Sequence, residues 1–188
     1  MSNLLLAVFL GLAVSVSKVG DSLTVNPLFL RGYDNRISLA AKAGWQSSSL
    51  LNPKNADKRY CRRMEAPLTC ELRQNNPQVV VILIGTNDLA SGIPVEWYFE
   101  NLEAIVDEIE VRGATPILTT LPPINPTRAN AEDWEAYNNA IRRVATGNGL
   151  PLIELSDLTP EYFLYDGVHL NADGQRVRTE RTVEIIRR

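Results

Sequence analysis

A single histidine and two cysteines serve the whole chain of 188 residues, too few nitrogen and sulfur donors for a zinc cluster. Basic charge is not in excess either. With 19 Lys+Arg against 22 Asp+Glu, the net charge of −3 gives no broad positive field, so no nucleic acid partner is expected. Low-complexity tracts, internal repeats and long polar linkers are missing, which leaves one domain over residues 1–188. No apolar run reaches the length of a membrane span. The N-terminal run over residues 4–16 has only about 13 residues, short of the ~20 that cross a bilayer.

That N-terminal run supports two readings. Its apolar and small residues, ending in Ser15 and Ser17, resemble the core of a secretory signal peptide, although no Lys or Arg precedes it. It also reads as a retained buried strand leading into Gly20, and residues 1–17 are expected to contribute the first strand despite their signal-like character. Cys61 and Cys70 bracket a short polar loop and fit either a local disulfide or two free thiols. The cysteine pair and the apolar start tilt localisation toward export, with a cytoplasmic chain as the alternative.

What is present is alternation. Apolar, β-branched runs over residues 13–19, 79–84, 115–121 and 150–155 predict buried strands, and 37–43 a fainter fifth. Between them, 95–112 and 131–146 carry apolar residues at helical spacing, and a last helix begins near Ala172 with a thin apolar face. Its arginines, Arg176, Arg178, Arg181, Arg187 and Arg188, alternate with Glu180 and Glu184 and read as a solvated face. Strands separated by helices predict an α/β fold of about five parallel strands with helices on both faces.

In such sheets chemistry gathers beyond the carboxyl ends of the strands. Those places hold Gly20-Asp21-Ser22, Gly44, Gly85-Thr86-Asn87-Asp88 and Asp166-Gly167-Val168-His169. Taken singly, each is ordinary turn chemistry: serine after glycine, asparagine bonding its own backbone, aspartate capping a helix. Together they supply a nucleophile, a base, an orienting carboxylate and amide donors. On one helical turn, Asp166 would stand beside His169.

These residues carry a resemblance. Gly20 to Thr24 is similar to the GDSL block of the SGNH hydrolase superfamily, Gly85 to Asp88 to its GxND block, and Asp166 to Asn171 to its DGxHLN block. The resemblance covers residues 13 to about 175 and implies a three-layer, flavodoxin-like fold. It implies Ser22 as nucleophile, His169 as general base and then acid, and Asp166 as its orienting carboxylate. It further implies an oxyanion hole from the Ser22 and Gly44 amides and the Asn87 side chain. Gly32 competes with Gly44 for the glycine position, and Tyr162, Phe163 and Tyr165 compete as the aromatic beside the site. No G-x-S-x-G elbow occurs, which disfavours the ordinary α/β-hydrolase fold.

The expected function is hydrolysis of carboxylic esters of short acyl or acetyl groups through an acyl-enzyme, with a small-molecule or carbohydrate ester as substrate. Neither metal nor organic cofactor is called for. An acyltransferase on the same triad and an idle carbohydrate- or lipid-binding domain are the alternatives. Pro122, Pro123, Asn125 and Pro126, with Trp45 and Trp97, are candidates for shaping the pocket. No insertion between the blocks is long enough to form a deep lid, residues 52–71 being the main candidate, so an open site accepting short acyl groups is expected.

Overall fold

The computed structural model describes residues 14–31, 38–125, 127 and 130–188. Four parallel strands form the sheet in the order β1 (Val16–Gly20), β2 (Val79–Leu83), β3 (Thr115–Thr119), β4 (Leu152–Ile153). Every residue of β1 and β2 is buried, as a strand covered on both faces requires. The faint fifth strand shrinks to an isolated parallel bridge between Ala41 and Gly20. Two hydrogen bonds carry that bridge, Gly20 N–H to Ala40 C=O at 2.9 Å and Lys42 N–H to Gly20 C=O at 3.1 Å. Ile37, where that strand was predicted to begin, lies outside the described residues.

The N-terminal run ends inside this sheet. Val16 opens β1, so a cut after Ser17 would remove two of the five residues of the strand that leads to Ser22. Ser17 is tied down by its hydroxyl, which donates to the buried Glu71 carboxylate at 2.7 Å.

Six helices are described: α1 (Ser47–Leu51), α2 (Pro67–Asn75), α3 (Thr86–Ala90), α4 (Val95–Val111), α5 (Ala131–Gly147) and α6 (Ala172–Arg187). The sequence predicted α4, α5 and α6. The short α1, α2 and α3 have too few turns to show a period. Leu102, Ile105, Val106 and Ile109 of α4 are buried, and so are Tyr137, Ile141 and Val144 of α5. Tyr98 and Tyr137 stack at 4.5 Å between ring centroids where these two helices meet.

From β1 to β4 the chain steps across the sheet in one direction. Right-handed crossovers therefore put α1, α2, α4 and α5 on one face. On the other side, α6 packs against β4 and against the segment after Ser22. The chain lays residues 38–42 on one flank of β1 and then β2 on the other. The strand order thus reverses at β1, and the crevice at its carboxyl end is the natural place for a ligand.

Candidate active site

Ser22 stands at that reversal point, and the turn holding it is fixed from several sides. Gly20 allows the turn, because a Cβ there would lie 1.9 Å from the Leu83 carbonyl oxygen. No side chain fits so close an approach of backbone to backbone. Beyond it, the Asp21 carboxylate accepts from Leu23 N–H at 2.9 Å, and the Thr24 hydroxyl donates to Leu83 C=O at 3.1 Å.

His169 reaches Ser22 from the far end of the chain. Its Nε2 is 2.9 Å from Ser22 Oγ, and its Nδ1 is 2.6 Å from Asp166 Oδ2. Burial acts to raise the Asp166 pKa. The His169 ring and the His169 and Val168 amides outweigh it and hold the carboxyl down at about 2. Asp166 is therefore ionised at neutral pH and can only accept. The proton on the His169–Asp166 bond must sit on Nδ1, which leaves the Nε2 lone pair facing the Ser22 hydroxyl. This arrangement can take a proton from Ser22.

The Asp166–His169 proximity does not come from a helical turn, as the three-residue spacing suggested. Residues 164–169 form a bent loop closed by Leu164 N–H to His169 C=O at 2.7 Å and by an antiparallel bridge between Phe163 and Leu170. Asp166 Oδ1 accepts from both Val168 N–H and His169 N–H at 3.0 Å, folding the loop around its own carboxylate. Asn171 then joins the loop to α6. Its side chain accepts from Gly174 N–H at 3.0 Å and donates to Glu161 C=O at 2.6 Å.

On the opposite wall, Asn87 Nδ2 donates to the Trp45 carbonyl at 2.9 Å. One bond occupies one of the two amide protons and leaves the other available. Gly44, adjacent to Trp45, is exposed and has φ +80, a conformation L side chains rarely adopt. The competing Gly32 lies outside the described residues. Asp88 does not cap the helix that follows it; it accepts from Ser47 Oγ at 2.6 Å and from Ser47 N–H at 2.9 Å, at the start of α1. Asn101 of α4 also donates to Ser47 Oγ at 3.0 Å. The turn with Gly44 is thereby clamped to the strand end with Asn87. Ser47 had no signal in the sequence beyond its place near Gly44.

Beneath the Ser22 turn, Asp21 and Asp88 are buried and both have raised pKa values, in each case because burial penalises the charge. Asp21 is pushed up to about 6, with the Leu23 amide and Arg178 pulling the other way. Arg178 is fully buried, donates to Leu23 C=O at 2.8 Å, and lies 3.4 Å above the centre of the Phe29 ring. The solvated reading of the α6 arginines therefore fails at Arg178. The missed signal was spacing, since 175, 178, 182 and 186 form one helical stripe and all four are buried. Arg181 departs as well, pairing with Asp157 at 2.6 Å.

A groove of about 430 Å³ adjoins the His169 loop, lined mainly by Ile124, Leu158, Phe163, Leu164 and Tyr165. Of the three aromatic candidates, Phe163 and Tyr165 line it and Tyr162 does not. Pro123 and Asn125 also reach it, while Trp97 is 62% exposed on α4 and Trp45 faces another depression. Pro126 lies outside the described residues. Elsewhere, Cys61 and Cys70 form a disulfide. Glu65 lies beside it but is bound to Arg73 at 2.7 Å, and bonded sulfurs are not thiolate ligands.

Comparison with known proteins adds four findings. The model of the GDSL-like Lipase/Acylhydrolase family matches residues 19–177. Thioesterase 1/protease 1/lysophospholipase L1 of Escherichia coli (strain K12) is 27% identical over 167 residues, covering 84% of this chain and 76% of that protein. The crystal structure of a lipase/acylhydrolase from Enterococcus faecalis superposes with a TM-score of 0.72 at 22% identity, covering 93% of this chain and 95% of that one. The psychrotrophic esterase EstA from Pseudoalteromonas sp., in a structure inhibited by monoethylphosphonate, gives 0.67 at 18% identity, with 91% and 95% covered. At such identities the two structures share the fold.

Proposed function

The chain belongs to the GDSL-like Lipase/Acylhydrolase family, and from that premise we propose that it hydrolyses carboxylic esters of short acyl groups with Ser22 as nucleophile. One observation carries the reading: the unbroken series Asp166–His169–Ser22, with contacts of 2.6 and 2.9 Å. The esterase and thioesterase named among its relatives act on acyl carbonyls, and this chain offers the groups that such chemistry needs.

In the proposed mechanism, His169 Nε2 takes the Ser22 proton as Oγ bonds to the acyl carbon, and the carbonyl π electrons move onto oxygen. Asp166 stabilises the imidazolium so formed. The oxyanion is held by the Ser22 and Gly44 amides and the free proton of Asn87 Nδ2, each donor worth about 3 kcal/mol of barrier. His169 then returns the proton to the departing alcohol as the carbon–oxygen bond breaks, leaving an acyl-serine. Water, deprotonated by His169, repeats the attack and frees the acid. The groove beside Phe163, with its largely apolar lining, would take the acyl group.

Ser22→Ala and His169→Ala should each lower kcat on p-nitrophenyl acetate by at least about a thousandfold with the fold intact by circular dichroism. Near wild-type turnover in either variant would overturn the assignment. A panel of acyl lengths, run on the wild type and on Ser22→Ala, fixes chain preference, and a rate rising with length would refute the short-acyl reading.

A further inference from the structure

The chain is acidic overall, yet residues 54–63 carry Lys54, Lys58, Arg59, Arg62 and Arg63 against Asp57 alone, five positive charges against one negative. Four of these cations, Lys54, Lys58, Arg62 and Arg63, line a depression of about 600 Å³ whose apolar lining comes from Pro53, Ala56, Cys61 and Met64. It contains none of Ser22, Gly44, Asn87, Asp166 or His169. We propose that this basin binds an amphiphilic anion, a phosphate or carboxylate head attached to an apolar body.

The charge is uncompensated because the nearby acids are already engaged. Asp57 is gripped by Arg59 at 2.6 Å, which cancels that one cation, and Glu65 is held by Arg73 at 2.7 Å. Arg62 also feels Glu65 through space. Among the described residues, Lys54, Lys58 and Arg63 form no ion pair, and all three are exposed. Gathering like charges opposes folding of the loop, and an anion bound among them relieves that repulsion.

The loop is nonetheless held in one shape. The Cys61–Cys70 disulfide ties it to α2, and the Tyr60 carbonyl accepts from Gln74 Nε2 at 2.7 Å and Arg73 Nη2 at 3.1 Å. Met64 is kept at φ 64, a region that bulky residues avoid, with its side chain 79% exposed beside the cations. A loop already held in shape loses little backbone entropy when a ligand arrives. The concavity and the apolar floor suit a single molecule with a charged end better than a flat charged surface.

This site stands apart from the ester chemistry, so its test reads binding and not turnover. Binding of decyl phosphate and of neutral decyl glucoside, both below micellar concentration, is measured by calorimetry on the full chain carrying Ser22→Ala. The expected result is saturable binding of decyl phosphate only, weakened at least about tenfold by the pair Lys58→Glu and Arg63→Glu at unchanged melting temperature. Equal binding of the glucoside, or no loss in the charge-reversed pair, would overturn the proposal. So would inorganic phosphate binding as tightly as decyl phosphate, since the apolar floor would then be idle. Binding to phosphatidylglycerol vesicles with none to monomeric decyl phosphate would replace the proposal with a membrane surface.

Discussion

Asp21 shows what a single side chain beside Ser22 costs and contributes. Its carboxylate accepts from Leu23 N–H and so shapes the turn that presents Ser22, but its Oδ2 is buried with no partner among the described residues. Burial raises its pKa from 3.8 to about 6, with Arg178 lowering it and Asp88 raising it. A carboxyl with a raised pKa binds its proton more tightly folded than unfolded, so its favourable contribution is complete below about pH 4 and fades as pH rises through about 6. Asn at this position keeps the acceptor and cannot ionise. Relative to wild type, Asp21→Asn should gain about 3 kcal/mol of unfolding free energy between about pH 4 and pH 7, the equivalent of moving a carboxyl from 3.8 to about 6. Urea unfolding across that range measures it, and parallel pH curves would refute it. None of this was legible beforehand, because the burial of Asp21 depends on β2 and α6, which arrive much later in the chain.

At the scale of the element, α6 does more than cover the sheet. It delivers Arg178 beneath the Ser22 turn, where the guanidinium donates to Leu23 C=O, stacks on Phe29 and offsets the charge of Asp21. Removing the cation while Asp21 stays leaves a buried charge uncompensated, the expensive half of breaking a buried pair. Arg178→Met should therefore cost about 3 kcal/mol at neutral pH, and combining it with Asp21→Asn should recover about 1 to 3 kcal/mol of that loss. Chemical denaturation of the four proteins gives the coupling, and strict additivity would show that the two residues do not interact. The same helix was predicted correctly in position, and its solvated arginine face holds at Arg176, Arg187 and Arg188 but fails at Arg178. Its start near Ala172 is written locally by Asn171, whose side chain caps Gly174 N–H, whereas the burial of one arginine among several is not.

For the whole molecule, the chain beyond the Ser22–His169 end is held by connections of very different sequence reach. The Cys61–Cys70 bond closes a short loop, with a separation of 9 residues. Replacing both cysteines by serine should lower stability by about 2 to 3 kcal/mol on the chain-entropy account, measured as a drop in melting temperature. Because the bond lies at α2, away from the Ser22–His169 contact, the reaction of Ser22 with a fluorophosphonate probe should keep its rate in the same variant. Strong loss of labelling there would show that the loop shapes the catalytic end after all.

The sequence by itself determined the alternation of strand and helix, the glycine that must end β1, and the residues lying beyond the strand ends. All of these are local: apolar runs of strand length, helical spacing over several turns, and turn chemistry within a few residues. It could not assign the short helices, whose one or two turns carry no period, nor the reduction of residues 37–43 to a single bridge. Only the tertiary structure decided that Ser22 meets a histidine 147 positions away at 2.9 Å. Tertiary packing also decided that a bent loop rather than a helical turn sets Asp166 on His169, that Arg178 is interior, and that four cations share one rim. Such outcomes depend on packing between distant segments, and no local periodicity encodes which faces will meet.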